Sequence, residues 1–200
     1  MSPVFAYRRI LEAAADWMNE LQAAEAFLHG KSLRTLALGQ VPTPQSLPSD
    51  CLLAGLPPAP TPSAQAFCDA VIMHQDSVAW KNDYTADQPG IDHAYLQRTG
   101  YFDLSGPNGP FVDATHRVMV GYWREGLDYP LHWHAAEEMY CIAAGRTLFA
   151  VDDNPLTLRE PGTCIEHASQ QPHRMRMDPD PLLALIIWRG QGLVDVANLE

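Results

Sequence analysis

No stretch of this chain approaches the roughly 20 consecutive apolar residues that a membrane-crossing helix needs. Cysteine is equally sparse in pattern: Cys51, Cys68, Cys141 and Cys164 show no CxxC spacing and none of the density of a small disulfide scaffold. Buried, reduced thiols are the plain expectation. Positive charge is short, with 13 Lys and Arg against 24 Asp and Glu and a formal net charge of -11. A chain of that sign is repelled by phosphate backbones and anionic headgroups, so neither nucleic acid nor a membrane surface is an expected partner. The acids are scattered, with no run long enough to be a tail. The opening residues Met1 to Arg9 lead into an amphipathic segment instead of an apolar signal region, which predicts a soluble, cytoplasmic protein. Internal repeats are absent, so a single β unit is expected, not two.

Two hundred residues, 46% of them apolar, suit one domain with a full core. The character of the chain changes near residue 85. Ile10, Leu11, Ala14, Trp17, Met18, Leu21 and Phe27 recur mostly at spacings of three and four, which predicts a helix over 4–29 that stops at His29-Gly30. Residues 41–63 are proline-rich, including Pro57-Pro58, and read as an irregular wrap or linker. A second helix is expected from Ser63 to His74, with Ser63 as its N-cap.

From residue 94 short strands are expected: Tyr95 to Leu104, Arg117 to Arg124, Glu137 to Ile142, Thr147 to Val151, Leu156 to Arg159, Thr163 to Glu166, His173 to Met177 and Leu182 to Trp188. Turn signals such as Gly106-Pro107-Asn108-Gly109, Asp152-Asp153-Asn154-Pro155 and Pro161-Gly162 separate them. The expected division is a helical extension over 1–85 and a mainly β unit, a sandwich or small barrel, over 86–200.

One constellation carries chemistry. His132, His134, Glu138 and Tyr140 are all even-numbered, and an extended chain turns alternate side chains to one face. Two imidazoles, a carboxylate and a phenol make a poor apolar core but a good donor set for a divalent metal. Glu137 points the other way, toward solvent. Among the remaining histidines, His29 suits a helix end, and His74, His93 and His116 have no partner at ligand spacing.

The pattern Gly126-x5-His132-x-His134-x3-Glu138-x6-Gly145 resembles the first signature motif of the cupin family. Pro161-Gly162, followed by Pro172-His173, is similar to the second motif. It departs from it at His167 and Ser169-Gln170, where a Pro-Ala-Gly-like turn is usual, and no Asn follows four residues after His173. The resemblance covers about residues 90 to 190. It implies a single jelly-roll β-barrel behind an α-helical N-terminal extension. It also implies one divalent transition metal (iron, manganese, zinc, nickel or cobalt) held by His132, His134, Glu138 and His173. His167 is expected at a strand end or at the pocket rim.

Tyr140 two residues beyond Glu138, Tyr129 ahead of the His motif and Trp188 on a late strand, together with the helical extension, closely resemble the cupin-type dimethylsulfoniopropionate (DMSP) lyases of the DddQ and DddL type. That resemblance implies a carbon-sulfur lyase that splits DMSP into dimethyl sulfide and acrylate. Tyr140 would be the base, and Tyr129 and Trp188 would contact the substrate. Tyr122 is a further candidate aromatic face for the sulfonium cation. Two other readings stay open: a cupin dioxygenase or isomerase with the same ligands, and a barrel that binds a small ligand without turnover. In each the partner is a small molecule and the chain is a monomer or homodimer. The N-terminal helices would cover the barrel, close as a lid or form a dimer contact.

Overall fold

The structure is a computed structural model that describes residues 2–48, 51 and 53–200. Helix α1 (Pro3–Met18) starts with a proline, whose missing N–H costs nothing in the first turn. Its apolar stripe buries Tyr7, Ile10, Leu11, Ala14 and Trp17 on one face. The single helix expected over 4–29 is interrupted. The amides of Glu20 and Leu21 bond back to Trp17 and Met18, and the chain resumes as α2 (Gln22–Phe27). The apolar spacing runs through this turn because α2 still buries Ala24 and Phe27, so periodicity alone hides the break. The stop falls where expected. His29 (φ 53°) and Gly30 (φ 70°) are left-handed, and the Gly30 amide reaches back to the Glu25 carbonyl.

Helix α3 (Pro62–His74) is capped by Thr61, not Ser63. Pro62 occupies the first helical position, which sets the cap two residues before the expected one, and Thr61 Oγ1 accepts the Ala64 amide at 3.2 Å. Helices α1 and α3 pack together through Trp17 stacked on Phe67, ring centres 5.4 Å apart. A short α4 (His93–Leu96), capped by Asp92, takes the place of the expected strand start at Tyr95.

Strands β1 (Ala37–Leu38), β2 (Thr99–Gly106), β3 (Phe111–Val112), β4 (His116–Trp123), β5 (Asp128–Trp133) and β6 (Ala136–Ala144) come first along the chain. They are followed by β7 (Thr147–Val151), β8 (Thr157–Arg159), β9 (Cys164–His167), β10 (His173–Arg176), β11 (Leu182–Gly190) and β12 (Asn198–Leu199). β5 was not among the expected strands, because Pro130 and the mixed polar run conceal it. The strands form two sheets, β1-β3-β2-β4-β11-β6-β9 and β12-β5-β10-β7-β8. Among the described residues no ladder joins them, so the hydrogen-bonded circuit of a closed barrel is not formed. Alternation along a strand is the same in a sandwich and in a barrel, and sequence pattern does not separate the two.

The larger sheet divides two cores. Odd positions of β6 and β11 (Met139, Cys141, Leu183, Leu185, Ile187) and even positions of β4 (Val118, Val120, Tyr122) pack against α1 and α3. The opposite faces (Tyr140, Ile142, Ile186, Trp188, Met119, Trp123) meet Tyr129, Phe149 and Met175 of the smaller sheet. Gly145 holds the β6–β7 turn. It has φ +86°, and a Cβ there would lie 1.8 Å from the Pro181 carbonyl oxygen, so only glycine fits. No helix among the described residues is long and apolar enough to cross a membrane.

Candidate metal and substrate site

Strand register builds the site from two facing rows. Across the larger sheet Trp188 of β11 pairs with Glu138 of β6, and Glu138 pairs with His167 of β9. Side chains directly opposite on one face of a sheet are neighbours, so the three lie side by side. Across the smaller sheet His132 of β5 pairs with His173 of β10, their ring centres 4.0 Å apart. His134 follows β5 in the connection to β6 and closes the group.

Three histidines are oriented by their own backbone. Nδ1 of His132 lies 2.9 Å from the Pro130 carbonyl, Nδ1 of His134 2.9 Å from that of Ala136, and Nδ1 of His173 2.9 Å from that of Gln171. A carbonyl accepts only, so each Nδ1 carries the proton and each Nε2 presents a lone pair. Those of His134 and His173 face Glu138 Oε2 at 3.4 and 2.9 Å. Neither Nε2 makes an aligned hydrogen bond, although both are buried. Donor atoms of His132, Glu138 and His173 all lie within 4.8 Å of one another. Buried imidazole lone pairs without proton partners, converging with a carboxylate, fit a divalent transition metal.

The electrostatics are mutual. Burial alone would raise the Glu138 carboxyl, yet the imidazoles of His134, His167 and His173 gathered around it hold it well below the usual range. Burial, reinforced by His173, drives His132 well below its ordinary value. Burial works against a charged His134 as well, but Glu138 outweighs it and raises that imidazole. Tyr140 is pushed well above the usual phenol value, first by burial and then by the Glu138 charge.

A cavity between the sheets is lined by His132, His134, Glu138, Tyr140, Tyr129 and Trp188. Tyr129 stacks on His132, ring centres 4.0 Å apart. Trp188 does more than present a face: its indole N–H donates to Glu138 Oε1 at 2.7 Å, and its ring lies 4.3 Å from that of His134. Tyr122 is not brought to this group. It is fully buried on the helix-facing side of β4, and its neighbour Trp123 takes the cavity side. Glu137 turns outward to Arg189.

Sequence reasoning missed Tyr84 and Tyr95, which come from the segment before β2 and line the cavity with Trp123. The Tyr84 hydroxyl bonds that of Tyr129. No periodic signal marks Tyr84, because it lies in an irregular connection. His167 is fully buried with Nδ1 3.2 Å from Glu138 Oε2, well inside the rim. Its even offset from His173, across the turn between β9 and β10, did not reveal this.

Fold and site together define a mainly β protein with N-terminal helices and a pocket between its sheets lined by histidines, the Glu138 carboxylate and aromatic rings. The chain belongs to the dimethylsulfoniopropionate lyase family, whose model matches residues 31–184. It is 34% identical over 148 residues to the dimethylsulfoniopropionate lyase DddQ of Ruegeria pomeroyi, covering 74% of this chain and 73% of that protein. Among solved structures, a chain from the structures of the DMSP lyases RdDddP and RnDddQII superposes with a TM-score of 0.88 at 35% identity, over 100% of both chains. The DddQ structure from Ruegeria pomeroyi DSS-3 gives 0.77 at 30% identity, over 94% of this chain and 96% of that one.

Proposed function

We propose that this protein is a metal-dependent DMSP lyase, a carbon-sulfur lyase producing dimethyl sulfide and acrylate by β-elimination. In this reading residues 86–200 form a cupin-type jelly roll that carries the donors, and the 1–85 extension covers one face and lends Tyr84. The observation that carries it, beside family membership, is Tyr140. A phenol stands two residues beyond Glu138 on the same face of β6, inside the cavity and shielded from water.

His132, His134, Glu138 and His173 are the residues that would hold the metal. When bound, the metal supplies positive charge that stabilises both a Tyr140 phenolate and negative charge building on the substrate carboxylate. Tyr140 then takes the proton from the carbon next to the carboxylate. The C–H electron pair becomes the new carbon-carbon double bond, the carbon-sulfur bond breaks, and sulfur leaves with its pair as neutral dimethyl sulfide. The sulfonium needs no acid to help it depart. Tyr140 is left as a phenol and returns its proton to solvent before the next turn. Burial is what makes this residue suitable, since a phenolate deprived of water is a stronger base.

The cation is received by aromatic faces. Tyr129, Trp188, Tyr84, Tyr95 and Trp123 line the cavity, each good contact contributing about 0.5 to 2 kcal/mol. Asp83 and Asp195, which also line the cavity, add negative charge. The test is dimethyl sulfide in the headspace above sealed, metal-loaded protein given DMSP. Wild type should release it, and Tyr140→Phe should release it about 10²- to 10⁴-fold more slowly. Silence from the wild type with each of the five metals would reject the lyase reading.

A further inference from the structure

His167 has no part in the reaction just described, yet it is the side chain that touches metal donors from both sheets. Its own strand, β9, belongs to the larger sheet, where register sets it beside Glu138. Its ring lies face to face with that of His173 on the smaller sheet, centres 3.9 Å apart and planes 8° from parallel. Nδ1 reaches Glu138 Oε2 at 3.2 Å, while Nε2 is buried without a partner.

The three histidines around it do the reverse, giving Nδ1–H to a backbone carbonyl and turning Nε2 inward. For His167 the choice of tautomer follows from its neighbour. A carboxylate oxygen accepts only, so a proton on Nδ1 makes a charge-assisted hydrogen bond. A proton on Nε2 would be buried without an acceptor and would leave two lone pairs facing each other. With Trp188 donating to Oε1, the Glu138 carboxylate is then gripped at both oxygens by its lateral neighbours in one row of the sheet.

We infer that His167 is a positioning residue. As the Nδ1–H tautomer it fixes the Glu138 carboxylate, and through its ring it fixes the plane of His173, so that donors from two separate sheets keep one geometry. The inference rests on the metal reading given above, but not on the identity of the substrate. Partners of this kind, which orient ligands without binding the metal, are worth about 10- to 100-fold in metal affinity.

Two variants divide the two contacts. His167→Phe keeps an aromatic ring against His173 and removes the donor, whereas His167→Gln keeps a donor and removes the stack. Cobalt(II) affinity, measured by chelator competition, should fall about 10- to 100-fold in His167→Phe. The visible cobalt band, which reports ligand geometry, should shift with it, and His167→Gln should fall between the two proteins. A folded Phe variant with wild-type affinity and an unchanged cobalt spectrum would overturn the inference. Wild-type protein that binds no cobalt would overturn the metal reading and this inference together, whereas equal binding by wild type and variant overturns this inference alone. The tautomer is tested without any substitution, by long-range nitrogen-proton NMR of wild-type protein. A proton on Nδ1 of His167 is the expected result, and one on Nε2 would overturn it.

Discussion

The two faces of the β6–β11 pair carry alternate residues of the same strands, yet they support different chemistry. Toward the helices β6 shows Met139, Cys141 and Ala143, and β11 shows Leu183, Leu185 and Ile187. Toward the other sheet the same strands show Glu138, Tyr140, Ile186 and Trp188. The helix side consists almost wholly of apolar groups whose contacts need no direction. On the cavity side a carboxylate and a ring of imidazoles, all buried, are arranged so that each proton has an assigned acceptor. Taking such groups from water is costly unless they are paired. The dense apolar face behind them supplies stability that the polar face does not.

The sharpest way to test that division is a pair of aromatic changes on opposite faces. Phe67→Ala removes a fully buried ring from the helix side, where it stacks on Trp17, and should cost about 3–5 kcal/mol in denaturant unfolding. Its folded fraction should keep wild-type metal affinity and wild-type turnover. Tyr140→Phe should do the opposite, with turnover falling by the factor given above and the unfolding midpoint nearly unmoved. The Phe variant keeps the ring that packs on Phe149, 5.4 Å away, and loses only the hydroxyl. If Phe67→Ala lowered turnover per folded molecule as strongly as Tyr140→Phe does, the two faces would not be independent.

How much of this was legible in sequence follows the same division. The helix side announced itself through spacing, because a stripe such as Ile10, Ala14, Trp17 and Met18 means burial whatever lies opposite. The grouping of His132, His134 and Glu138 was legible because they stand within seven residues, at the end of β5, in the short turn after it and at the start of β6. Those two strands face each other from the two sheets, and His173 entered through its motif. Contacts set by register were not legible. Glu138 meets His167 and Trp188 because β9 and β11 flank β6 in one particular alignment, and nothing in the three short segments states that alignment. Tyr122 shows the same limit from the other side. Its parity relative to the site depends on how β4 pairs with β11, and that pairing sends Trp123, not Tyr122, into the cavity. Tyr84 was hidden because irregular chain has no period to read.

A smaller effect separates the faces by pH. Burial lowers His132 and His167 on the cavity side, and His116 on the helix side, below the usual imidazole value of about 6.5. In the unfolded chain these rings take up protons as the pH falls through that value, while the folded protein resists doing so. The unfolded state then binds more protons, so stability of metal-free protein should decline between about pH 7 and pH 5. His134, raised by Glu138, works against the decline but is one ring against four, since burial lowers His74 on α3 as well. The depressed Glu138 adds nothing in this range, because an unfolded glutamate takes up its proton only near pH 4.3. Urea midpoints at pH 7.5 and 5.5 check the direction. His132→Gln reads the share of the cavity face in this decline and His116→Gln that of the helix face, and each should flatten it. Equal flattening would place the sensitivity on both faces alike.

The smallest expected change lies at the far end of the helix side. Thr61→Ala removes the hydroxyl that receives the Ala64 amide at the start of α3, and a lost cap of this kind costs about 1 kcal/mol. Because α3 packs on the back of β6, with Phe67, Cys68 and Val71 buried against that core, the variant tests how far a local loosening travels through the sheet. The unfolding midpoint should drop measurably while chelator competition returns wild-type metal affinity, because Glu138 is held laterally by Trp188 and His167 instead of from behind. A metal affinity that fell in step with stability would mean that the helix face tunes the donor geometry directly. The sheet would then be a coupling between the two cores and not a partition.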